Sequence, residues 1–121
     1  MNDRPPLHTL NSKLRVISRA VPEGSFWRHQ KSGTVYEVVT LAISESTGDC
    51  KVVYRPASAP SDLVLTTALG REYDVGTGRE VYSHLVFERP LSEWEELVDI
   101  DGDLIEHQPR FKRVERATIY V

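Results

Sequence analysis

Cysteine occurs once, at Cys50, and methionine once, at Met1. A lone thiol can make no internal disulfide and no cysteine-rich metal cage. No apolar run approaches the roughly 20 residues that a membrane span needs. The first residues, Met1-Asn2-Asp3-Arg4-Pro5-Pro6, show no apolar stretch of the signal-peptide kind. These absences point to a cytoplasmic protein in reducing surroundings, away from membranes. Basic charge is not in excess either. The 15 Lys and Arg against 18 Asp and Glu give a net charge of −3. A dedicated nucleic-acid binder is usually basic, so that class is disfavoured.

What is present is ordinary for a globular domain. The chain has 121 residues, 40% hydrophobic and 27% charged, which suits one domain with one core. The charge falls in blocks. Residues 1–31 and 107–121 are net basic, whereas residues 88–106 hold eight acids and a single arginine. Blocks of this kind serve solubility first, and can also steer a charged ligand or pair subunits.

Residues 1–24 read as an N-terminal leader, flexible over the first ten around Pro5-Pro6. Leu14, Ile17 and Val21 have helical spacing, although Leu10, Leu14 and Val16 also fit an edge strand. Residues 25–114 read as a small β-domain. Thr34 to Ile43 is its best strand, rich in β-branched and aromatic residues. Its alternation sets Val35, Val39, Leu41 and Ile43 on one face, and Tyr36, Val38 and Ala42 on the other. A strand apolar on both faces suits the heart of a small barrel.

Ser46 to Asp49 reads as a hairpin turn into a strand over Cys50 to Arg55. In that strand Val52 and Tyr54 oppose Lys51, Val53 and Arg55. Residues 56–78 leave helix, strand and loop open up to a turn at Asp74 to Gly78. Arg79 to Glu88 reads as a strand with Val81, Leu85 and Phe87 inward. Ser92 to Glu95 fits a capping box opening one helical turn that packs Trp94 and Leu97. Asp101-Gly102 suits a tight hairpin, and residues 115–121 read as a C-terminal edge strand, a route to self-association.

The sum is a mainly β fold, a small antiparallel barrel or rolled sheet with one short helical turn, SH3-like in one form. Its expected core is Val35, Val39, Leu41, Val53 or Tyr54, Leu85, Phe87, Trp94, Leu97 and Phe111.

Several chemical motifs fail on spacing. Asp99 to Asp103 has its glycine fourth, not sixth as an EF-hand loop requires. Gly76-Thr77-Gly78-Arg79 lacks the endings of a phosphate-binding loop. The four histidines form no zincin pair. No metal or other cofactor is expected. Cys50 reads as a small buried hydrophobe rather than a nucleophile. Two clusters remain. One is Arg28-His29 with Lys31, just before the long strand. The other combines Tyr54-Arg55 with Arg89 and Arg110-Phe111. Arginine forks grip carboxylates and phosphates, and rings stack on flat groups. The same arginines could instead pair with local acids such as Glu88, Glu93 and Glu95.

The motifs follow a recognisable order. Trp27-Arg28-His29-Gln30-Lys31 is followed by Tyr36-Glu37-Val38 and by Ala42-Ile43-Ser44-Glu45-Ser46-Thr47. Val52-Val53-Tyr54-Arg55, Phe87-Glu88-Arg89-Pro90-Leu91 and Pro109-Arg110-Phe111 complete the series. This order resembles a bacterial and phage family, the domain of unknown function numbered 1653, over about residues 25–113. The chain departs from the pattern at Ser32 and Ser46, at Phe87-Glu88, and in a longer segment from Pro56 to Tyr82. The resemblance implies a fold and candidate positions, and no chemistry.

From these residues the expected function is a non-enzymatic binding module for an anionic partner. The partner is a nucleotide-like small molecule, an acidic peptide or, less favoured, a nucleic-acid phosphate. Candidate ligand contacts are Arg28, His29, Lys31, Tyr36, Tyr54, Arg55, Arg89 and Arg110. The alternative is a small enzyme with His29 as general base, oriented by Glu37 or Glu45. Arg28, Arg89 and Arg110 are the sharpest test, since at least two should share a surface with Tyr36 or Tyr54.

Overall fold

The computed structural model describes residues 5–57, 64–82, 84–99 and 107–115. Helix α1 spans Leu7–Ala20. Strands β1 (Phe26–His29), β2 (Val35–Ile43) and β3 (Cys50–Pro56) follow it. Next come β4 (Val64–Thr66), β5 (Glu72–Asp74), β6 (Glu80–Val81) and β7 (Phe87–Pro90). Helix α2 (Leu91–Trp94), β8 (Leu97–Asp99), β9 (His107–Pro109) and β10 (Phe111–Val114) complete the order. No helix among the described residues is long and apolar enough to cross a membrane.

The fold is mainly β and antiparallel. The principal sheet runs β10-β1-β2-β3-β7, with β4-β5-β6 and β8-β9 as small separate sheets. The sheet is rolled and open, not closed into a barrel, because β10 and β7 are both edges. Side chains bring these edges together: Arg89 of β7 places its Cζ 5.4 Å from the Phe111 ring centroid on β10.

The long strand departs from simple alternation. Val38 pairs with Tyr54, and Thr40 then pairs with Val53, so Val39 is an extra residue in a β-bulge. One inserted residue reverses the parity of the strand. Tyr36 and Val38 therefore face the core before the bulge, and Leu41 faces it afterwards. This explains why both faces of the segment read as apolar. It also corrects the expected placement of Val39, which is 37% exposed, while Val38 is buried. Leu85, Phe87 and Leu97 are likewise more exposed than expected, whereas Tyr54, Trp94 and Phe111 are core.

The N-terminal reading also changes. Leu7 to Leu10 form the first turn of α1 rather than a flexible leader, with Thr9 and Leu10 amides bonded to the Pro6 carbonyl. Proline is well tolerated there, because the first helical amides have no intrahelical acceptor. Leu10 and Val21 are buried and Leu14 and Ile17 half-buried, so helical spacing wins over the edge strand. Leu10 lies beside Gly48 at the β2–β3 turn, where a Cβ on the glycine would stand 3.6 Å from the leucine.

The helical turn at α2 begins at Leu91, after Pro90, and Ser92 makes no capping bond. The expected strand from Arg79 to Glu88 is two pieces, β6 and β7, in different sheets. Residues 64–66 and 72–74 are strands, resolving part of the segment left open. β8 pairs with β9, but Asp99 lies opposite His107, whereas a two-residue turn at Asp101-Gly102 would set it opposite Leu104; the connection itself lies outside the described residues. So does the edge strand expected at Ala117 to Val121.

Candidate functional site

The eight residues singled out from sequence divide between the two faces of the sheet. On β1, Trp27 packs against the core and His29 pairs with Phe111, so Arg28 between them faces the other way. Arg55 follows Tyr54 onto that outer face and bonds Glu37 through Nε at 3.2 Å and Nη2 at 2.8 Å. Lys51 pairs with Glu88 at 3.0 Å on the same side. The outer face is thus a solvated layer of ion pairs, and Arg28 and Arg55 do not join the remaining candidates.

The inner face collects His29, Tyr36, Tyr54, Arg89 and Arg110, and Lys31 lies in the exposed turn between β1 and β2. Tyr54 is buried at the centre, edge-on to Tyr36 at 5.1 Å and to Trp94 at 5.1 Å between ring centroids. Phe87 lies 5.8 Å from Tyr54 and 6.4 Å from Tyr36. Trp94 stacks on Phe111, whose ring also meets His29 at 5.1 Å. Around these rings stand the cations. Arg89 donates from Nε to the Tyr54 hydroxyl at 3.3 Å. Arg110 bonds Glu96 at 3.0 Å, a partner not anticipated among the nearby acids. Its backbone holds it in place, since its amide bonds the Glu96 carbonyl and its carbonyl accepts from Gln30.

His29 reports the electrostatics of this end of the sheet. Burial pushes its pKa down first, and then the charges of Arg89, Arg110 and Lys31 push it further the same way. Among the described residues, the charged groups acting on the imidazole are therefore cations. Its Nδ1 lies 2.9 Å from the Ser32 hydroxyl and accepts the Ser32 amide at 3.2 Å. Among the described residues, neither Arg89 nor Lys31 has a carboxylate within ion-pair distance. So two of the three arginines tested, Arg89 and Arg110, share one region with Tyr36 and Tyr54, and Arg28 does not.

The orienting acids expected for a catalytic His29 lie elsewhere. The Glu37 carboxylate holds Arg55 on the outer face. Glu45 lies beyond the far end of β2, past Ile43, whereas His29 stands beside its beginning. Among the described residues no group of three His, Cys, Asp or Glu could hold a metal ion. Cys50 is buried, and burial pushes its thiol pKa up.

Sequence reasoning grouped Phe111 with Arg89 and Arg110 but placed Phe87 in the core without seeing it as a wall of this region. The signal was available in the alternation of β7, which sets Phe87 and Arg89 on one face, opposite Tyr54 and Val52. Compared with known proteins, the chain matches no family model, no curated protein and no solved structure.

Proposed function

We propose that this protein is a non-enzymatic binding module that takes an anionic partner at the inner end of the rolled sheet, over His29, Tyr36 and Phe87. One observation carries the reading: among the described residues, the charges acting on His29 are those of Arg89, Arg110 and Lys31, and Arg89 rests with the imidazole against Phe111. Cations gathered over low-dielectric aromatic walls focus a positive potential and attract anions. The rings support it too. Phe87 is exposed and Tyr36 half-buried, leaving aromatic surface for a flat group. Two acids of the outer face, Glu37 and Glu88, are taken up by Arg55 and Lys51, away from this end.

The ligands to try are nucleotides and acidic peptides, with oligonucleotides third. A reducing, cytoplasmic setting belongs to this reading, as does self-association through residues 115–121. NMR titration with each ligand class at low and high salt is the test. Chemical-shift changes should centre on His29, Arg89 and Phe111 and weaken as salt rises. Changes confined to the outer face around Arg28 and Arg55, or none at millimolar ligand, would refute the proposal.

A further inference from the structure

Three side chains at this end of the sheet, His29, Lys31 and Arg89, have donors to offer a ligand, and their charge defines what they can hold. Ser32 donates its amide to His29 Nδ1 at 3.2 Å. A backbone N–H can only donate, so Nδ1 is an acceptor and the neutral ring carries its proton on Nε2. Arg89 uses Nε on the Tyr54 hydroxyl, and no bond within the described residues engages its two terminal nitrogens. The imidazole and the Arg89 guanidinium both rest against Phe111, at 5.1 Å and 5.4 Å from its centroid. The two donors thus flank the same ring.

Charge narrows the choice. Arg110 is offset by Glu96 at 3.0 Å. Arg89 and Lys31 remain, two positive charges without a carboxylate partner among the described residues. A carboxylate brings a single negative charge, and a dicarboxylate brings two but spreads them over its length. A phosphate monoester concentrates close to two charges and three acceptor oxygens on one centre at neutral pH.

We propose that the anion bound here is a phosphate monoester dianion, held by the terminal nitrogens of Arg89, the Nε2–H of His29 and the Lys31 ammonium. The assignment rests on the anion-binding reading above. Arginine supplies two parallel bonds to adjacent phosphate oxygens, and lysine acts as a point charge. Ser32 is a positioning residue: its amide fixes the tautomer that presents a donor to the ligand.

Calorimetric titration of the full chain tests the class. Four probes are needed: inorganic phosphate, a nucleoside monophosphate, succinate and acetate. Both phosphates should bind at least about tenfold more tightly than either carboxylate, the margin expected for one added charge-assisted bond. A nucleoside monophosphate tighter than inorganic phosphate assigns the aromatic walls to the attached group. Equal affinities assign the site to phosphate alone. Succinate binding as well as phosphate would overturn the phosphate class and leave anion binding standing. Silence from all four probes would overturn both.

Variants separate fork from charge. Arg89→Lys keeps the charge and loses the fork, and should weaken phosphate about tenfold. Lys31→Gln alters an exposed turn without touching the core, and should weaken binding and flatten its salt dependence. Arg28→Gln, on the outer face, should change neither. Full phosphate affinity in both Arg89→Lys and Lys31→Gln would overturn the assignment.

Discussion

The Trp94 indole lies flat on the Phe111 ring, with centroids 3.8 Å apart and planes inclined by 6°. This contact joins α2 to β10 across the mouth of the rolled sheet. Both side chains are almost fully buried, and Trp27 and Tyr54 meet the indole edge-on. With no hydrogen bonds between β7 and β10, the roll depends on this aromatic core and on Arg89 above Phe111.

Trp94→Ala should therefore destabilise the fold by about 3–5 kcal/mol, the usual cost of removing a buried aromatic. Trp94→Phe should cost less, because it retains a ring to stack. Urea unfolding measures both. Equal stability of the alanine variant and the parent would mean that the stack does not hold the sheet in its roll.

The bulge at Val39 gives a paired expectation. Val38→Ala should cost about 2 kcal/mol, because it removes two buried methyl groups and leaves a cavity. Val39→Ala should stay within about 0.5 kcal/mol, as an exposed position does. The reverse order would mean that the strand alternates without interruption.

That pair also shows where sequence reading stops. The strands β2 and β3, the hairpin between them and the buried Trp94 were legible from periodicity and turn chemistry. The bulge was not, because Val38 and Val39 are the same residue type and only pairing with β3 shows which one is extra. The helix at Leu7 was obscured by Pro5-Pro6, which suit a loop and a helix start equally well. Arg28, Arg89 and Arg110 have similar apolar neighbours in sequence, but strand parity and the choice of edge decide their faces. Alternation already set Arg28 opposite His29. It did not reveal that Arg89 on one edge would meet Phe111 on the other, since that needs the roll.

The outer ion pair between Arg55 and Glu37 should matter little. Arg55 is 44% exposed, and pairs of this kind contribute under about 1 kcal/mol. A double-mutant cycle with Arg55→Met and Glu37→Gln should give a small coupling and leave ligand affinity unchanged. A large loss of affinity would place the binding face on the wrong side of the sheet.

Stability should fall as the solution becomes mildly acidic. The folded protein holds His29 below the ordinary histidine value of 6.5. The unfolded chain then takes up the proton first, so the His29 contribution is complete above 6.5 and is lost as pH drops from there towards the lowered folded value. Thermal unfolding should show a Tm decline across this window, and His29→Gln should flatten it. An unchanged slope in the variant would show that other groups govern the decline.

The most direct measurement follows the imidazole itself. NMR titration of the His29 ring proton should give a midpoint below 6.5 in the free protein. A saturating anionic ligand should raise that midpoint, because its negative charge offsets Arg89, Arg110 and Lys31. The same ligand should raise it far less in Arg89→Gln. A ligand that binds tightly in calorimetry yet leaves the His29 midpoint where it was would contradict the account, because the anion would then sit somewhere other than beneath these cations.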